Sequence, residues 1–146
     1  QGEIITAAGA GASPHIVYFN GLTAAVRQSF YAFDPGYRGG IAIASADTNG
    51  DGLSEVVAGS GPNAGGGSLY VFNGSGAMLA ARSVSDAIFG MDVGTQDINV
   101  DGLADIILSR ADGSRPLVEI LDGLTLDLLD NFYADDPRFT GGISVA

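Results

Sequence analysis

Apolar residues along this chain recur in short runs, many of them alternating with polar ones. HIVYFNG (15–21), SLYVFNG (68–74) and LVEILDG (117–123) alternate and then end in Asn-Gly or Asp-Gly. Alternation at period two, closed by such a dipeptide, predicts a half-buried strand running into a tight hairpin turn. IAIASA (41–46) and MDVGTQ (91–96) lead into two acidic stretches, and EVVAGS (55–60) and DIILSR (105–110) follow them. These four segments also read as strands, and MLAARSV (78–84) with its counterparts as a further one. TLDLLDNFYA (125–134) fits a helix on pattern alone, as does TAAVRQSFYA (23–32). Both are read as strand, in keeping with their surroundings.

The pattern repeats. Residues 20–44 align without gaps to 122–146 at an offset of 102, with 12 of 25 positions identical, including the Tyr-Ala-x-Asp-Pro and Gly-Gly-Ile elements. A weaker middle copy covers 73–94. The period is about 50 residues, with four short strands in each unit, which is the signature of a propeller blade. The expected fold is all-β and of β-propeller type: a single repeat domain over 1–146. It comprises about three four-stranded blades, at 1–46, 47–96 and 97–146. A sandwich or barrel is the alternative. The chain is bounded inside acidic loops at both ends, Gln1-Gly2-Glu3 aligning with Leu53-Ser54-Glu55 and Ala146 with Ala44. Three blades are fewer than an ordinary closed propeller has. Flanking sequence, or copies packed side by side, is therefore expected.

Composition narrows the chemistry. Seventeen acids against six bases leave a net charge of −11, which argues against nucleic acid and for cations or simple solubility. There is no cysteine, hence no disulfide framework or thiolate site. No apolar run approaches the roughly 18 residues needed to span a bilayer. The start at QGEII, without an initiating methionine, points to a piece of a longer precursor.

The acids concentrate in two loops of equal spacing. In 47-DTNGDGLSE-55, positions 1, 3, 5 and 9 are Asp47, Asn49, Asp51 and Glu55; in 97-DINVDGLAD-105 they are Asp97, Asn99, Asp101 and Asp105. Oxygens at alternate positions of a tight loop converge on its inside, and the backbone carbonyls of Leu53 and Leu103 stand at position 7. Six to eight oxygens at about 2.3–2.6 Å are what Ca2+ requires. Two structural Ca2+ sites are expected. The loops are not EF-hands, because position 12 is Ala58 or Leu108 rather than glutamate. The plainer alternative is a pair of ion-free turns rich in Asx hydrogen bonds.

These loops, with Phe89-Gly90 and the strand that follows, resemble FG-GAP (VCBS-type) repeats, the blades of integrin-alpha-like propellers. The Tyr-Ala-x-Asp-Pro element resembles the variant common in bacterial surface proteins. The resemblance implies calcium ligation by the ten residues just named, and adhesion or scaffolding outside the cell or on its surface. This chain departs from the pattern in two places. Gly59-Ser60-Gly61 replaces the Gly-Ala-Pro tripeptide, and Val100 stands where the first loop has Gly50. The second loop is accordingly expected to be strained.

Other candidates carry less. His15 is the sole histidine and reads as a strand residue. The run 61-GPNAGGGS-68 lacks the Lys-Ser/Thr of a P-loop and reads as a turn. Asp34-Pro35 and Asp136-Pro137 begin matching turns. The aromatics at 30–31, 37, 132–133 and 139 are expected between blades, and Asn73-Gly74-Ser75 is explained by its turn. No catalytic constellation stands out, and the expected protein is not an enzyme. Three functions fit: a structural surface protein whose copies self-associate, as into a fibre; a propeller segment binding a protein or glycan ligand, as an adhesin or lectin; or an accessory domain of a secreted enzyme. None calls for nucleic acid or membrane insertion.

Overall fold

Each alternating run forms a strand. The computed structural model describes residues 2–63 and 66–145. Within them lie eleven strands and no helix: β1 (Glu3–Ala7), β2 (His15–Asn20), β3 (Val26–Tyr31), β4 (Ile41–Ala46), β5 (Glu55–Ser60), β6 (Gly67–Phe72), β7 (Met78–Val84), β8 (Met91–Gln96), β9 (Asp105–Arg110), β10 (Leu117–Leu121) and β11 (Leu128–Tyr133). They build three antiparallel meanders, β1-β2-β3, β4-β5-β6-β7 and β8-β9-β10-β11. The architecture is all-β, with propeller-like blades. The two segments that also fit a helix are turn and strand. Val26–Tyr31 pairs with β2 and Leu128–Tyr133 with β10.

Two details differ from the expected blades. The first sheet has three strands rather than four among the described residues. The acidic loops join β4 to β5 and β8 to β9, so they lie inside sheets. Units cut at 46/47 and 96/97 therefore split the second and third sheets after their first strand. The turns between sheets fall at 32–40 and 85–90. A repeat can be cut at any phase, and only the strand pairing decides which phase matches a sheet.

The repeat shows in fine detail. Each sheet shifts register at one equivalent place, between Tyr18 and Phe19, Val71 and Phe72, and Ile120 and Leu121. That is where an alternating strand gives way to its hairpin turn, and a bulge there sharpens the local twist.

The sheets stack face to face. All six residues of β5 are buried, because a neighbouring sheet covers each of its faces. Val57, Leu69 and Val71 join Met91, Val93, Ile106, Leu108 and Leu121 in one core. Val56, Ala58 and Phe72 join Ile16, Tyr18 and Ala32 in the other. Gly59 permits the close approach, since a Cβ there would stand 2.8 Å from Met91 Cγ. β4 runs beside β8 and touches β1, which lines up the inner strands, while every residue of the outermost strand β11 is exposed.

The aromatic expectation holds on one side only. Phe30 packs on Phe72 at 5.0 Å, and Phe33 lies between Tyr37 and Tyr70, so these rings do lie between sheets. The equivalents Phe132, Tyr133 and Phe139 are exposed, since no described sheet follows the third. His15 lies in β2 and stacks near Tyr31. The glycine run at 61–68 is described only in part, Ala64 and Gly65 lying outside the described residues, as do Gln1 and Ala146.

Candidate functional site: paired acidic loops

Both acidic loops lie at the same end of the second and third sheets, and they touch. The amide of Ala104 donates to the carbonyl of Asp47 at 3.0 Å. Gly50 lies so close to Leu103 that a Cβ would stand 2.9 Å from its Cδ2.

The first loop winds around its own side chains. The Asp47 carboxylate accepts from the amides of Gly50 at 2.7 Å, Gly52 at 2.9 Å and Asn49 at 3.3 Å. Asn49 Oδ1 accepts from Asp51 N, and Asp51 Oδ1 from Leu53 N. This is a chain of Asx turns, each side-chain oxygen capping an amide further along. Desolvation raises the Asp47 carboxyl, but the amides of Gly52, Gly50, Asn49 and Asp51 together outweigh it and hold the group below its ordinary value of 3.8. Glu55 opens β5 almost fully buried, its Oε2 accepting from Thr48 N and Oγ1.

The second loop copies this plan. Asp97 accepts from Asp101 N and Gly102 N, Asn99 Oδ1 from Asp101 N, and Asp101 Oδ1 from Leu103 N. Asn99 Nδ2 also donates to Asp101 Oδ2. Asp105 opens β9 with 1% of its surface exposed. Its Oδ2 accepts from Ile98 N at 2.9 Å and Asn99 N at 3.2 Å. Its Oδ1 is buried with no partner. The strain expected at Val100 is present: its φ is +62°, where Gly50 has +78°.

At positions 1, 3, 5 and 9 of each loop the predicted side chains are therefore engaged by neighbouring amides or hydroxyls. Among the described residues, no three acidic or histidine side chains are gathered as a ready metal cluster. The donor set still suits a hard cation. Every side chain carried by those positions offers oxygen, and a carboxylate that accepts one amide keeps further lone pairs. Among the described side-chain oxygens of the two loops, Asp105 Oδ1 is the one buried without a partner, which carries a cost.

Tyr18 stands near this end of the first interface. Burial, reinforced by Glu3 and Glu55, pushes its hydroxyl up to about 12. The sequence reading missed a second polar group further along the third sheet. Arg110 is buried between Asp86 and Glu119. The signal was visible in the repeat, since DIILSR places arginine where EVVAGS has serine.

Meandering sheets stacked through shared cores, with an acidic loop after the inner strand, define a blade-repeat protein of propeller type. Residues 47–108 match the FG-GAP-like repeat. That stretch runs from the first acidic loop into β9, and the match supports an FG-GAP-type repeat there. No match was found among curated proteins.

Proposed function

We propose that this protein is a non-enzymatic, calcium-stabilised structural or adhesion module that works outside the cell or on its surface. The observation that carries the reading is the pair of adjoining loops with one oxygen pattern, ending in the buried, unpartnered Asp105 Oδ1. Asp47, Asn49, Asp51, Glu55 and the Leu53 carbonyl would hold one ion. Asp97, Asn99, Asp101, Asp105 and the Leu103 carbonyl would hold the other. Ca2+ supplies positive charge that offsets three carboxylates per loop, and it ties the two strands on either side, so binding adds to folding stability. Extracellular modules bind Ca2+ at about 10⁻⁴–10⁻³ M, which suits a protein bathed in high calcium.

Association with a further blade belongs to the same reading. Phe30 is covered by Phe72 of the next sheet, whereas its equivalent Phe132 is exposed. A blade from a longer chain, or from another copy, would cover that face. Heterologous contacts of this kind build rings or filaments.

Thermal unfolding in millimolar calcium and in excess EGTA tests the calcium assignment. Wild type is expected to melt higher in calcium. Asp51→Ala and Asp101→Ala should each remove much of that gain and change little in EGTA. Equal losses in both buffers would defeat the assignment. Sedimentation velocity in the same buffers tests assembly, which predicts large species that depend on calcium.

A further inference from the structure

The third sheet departs from the internal repeat in the cleft it forms with the second. The corresponding cleft between the first and second sheets is lined by Tyr31, Ser60 and Tyr70. There Phe33 packs at 5.1 Å from Tyr70 and 5.4 Å from Tyr37. In the later cleft, Ser83 stands for Tyr31, Arg110 for Ser60 and Glu119 for Tyr70. The scaffold can thus close this space with rings and a hydroxyl. Putting a buried charge there instead costs stability, and the fold alone does not require it.

That charge is incompletely paired. The Arg110 side chain is 3% exposed. Its Nη2 donates to Asp86 at 2.9 Å and, over a shorter contact, to Glu119. Its Nε and Nη1 are buried without an acceptor, and so is Ser114 Oγ, which lines the same cleft. Arg115, exposed and without an ion pair among the described residues, stands at the rim. Phe89 and Tyr133 are half-exposed on the walls of a space of about 350 Å³. Arg82 adds a third guanidinium, 3.8 Å from Glu119. Half of the six basic residues of a chain with net charge −11 therefore gather here.

We propose that this cleft is a binding site for a small organic monocarboxylate. The carboxylate would take the unused donors of Arg110 and Ser114, with Arg115 at the rim, and a compact ring would rest against Phe89 and Tyr133. Arg110 and Arg115 against Asp86 leave one net positive charge on the lining, which suits a monoanion. Charge-assisted bonds to guanidinium are the strong ones, and a cleft of this size accommodates a small ring.

Calorimetry and ligand-observed NMR on the 146-residue chain test the site. The probes are benzoate, galacturonate and neutral benzamide, so that the arms separate an aromatic acid from a sugar acid. At least one acid is expected to bind saturably with a dissociation constant of about 1 mM or tighter, and benzamide is not. Arg115→Ala should weaken that acid by about threefold, as one partly screened charge would. Asp86→Asn should tighten it by about threefold, because it removes a competing carboxylate from Arg110. Both positions are exposed, and circular dichroism melts should match wild type closely. A purely structural arginine cluster would not tighten binding when Asp86 is neutralised. Absence of saturable binding by either acid overturns the proposal. So does equal binding of benzamide, or failure of either variant to shift affinity in the stated direction.

Discussion

At the scale of single residues, the three hairpin turns after β2, β6 and β10 run one experiment in parallel. Asn20, Asn73 and Asp122 occupy the same position, and each side-chain oxygen accepts from amides two to four residues on. Only the third carries a charge. The Thr125 amide, ahead of a smaller opposing effect of desolvation, holds the Asp122 carboxyl below its ordinary value of 3.8. A carboxyl depressed in the folded state stabilises the fold at pH values above its unfolded pKa. That contribution fades as pH falls through the folded value. Asp122 should therefore contribute fully at pH 7 and progressively less below about pH 4. Asp122→Asn keeps the acceptor, as the first two turns show. It should leave neutral-pH stability within about 0.5 kcal/mol and remove part of the acid loss, read as a flatter melting temperature between pH 5 and pH 3. The Asn-Gly and Asp-Gly turns were legible because they rest on local chemistry. The Arg110 cluster was not, because its partners Asp86 and Glu119 lie 24 and 9 residues away.

At the scale of elements, the two acidic loops show how far a local pattern reaches. The residues whose oxygens fall at alternate positions cap the turns of these loops, and β4, β5, β8 and β9 have the bounds read from the sequence. Segments 23–32 and 125–134, which hold β3 and β11, were ambiguous because outer strands bury little, and an exposed strand needs no alternation. Tertiary pairing settles what the pattern leaves open. Loop conformation differs at one residue in a way that can be measured. Val100 is forced to φ +62° and is largely exposed, so its side chain gains little packing in return. A β-branched residue in the left-handed region is strained by about 1–2 kcal/mol. Val100→Gly should therefore raise stability by about that amount in chemical denaturation with calcium absent. The reverse change, Gly50→Val, should cost more. It incurs the same strain and also drives its Cβ toward Leu103 Cδ2. If both changes were neutral, the loop backbone would not be held in this conformation.

At the scale of the whole molecule, the second sheet is the joint. Its two faces belong to different cores, Val57 looking toward the third sheet and Val56 toward the first. Cross-links at the outer edge reinforce both interfaces, with Gln28 Nε2 donating to Ser75 O at 2.7 Å and Arg82 Nη1 to Leu126 O at 2.6 Å. In stacked repeats, stability is a sum of unit and interface terms, and a unit rarely stands without its neighbours. The face-to-face interface built from Leu69, Val71, Met91, Ile106 and Leu108 is apolar, and every one of these residues is buried. Loss of either core should therefore propagate through the shared sheet. Leu69→Ala opens a cavity in one core and Ile16→Ala in the other. Both side chains are fully buried, so each change should cost about 2–5 kcal/mol. If the middle sheet couples the cores, both variants will melt in one transition, with calorimetric and van't Hoff enthalpies equal. If the cores were independent, Ile16→Ala would split the melt, leaving the second and third sheets folded at the wild-type temperature. A split would place the cooperative unit at the pair of sheets that share the acidic loops, and the first sheet would be a separable addition to it.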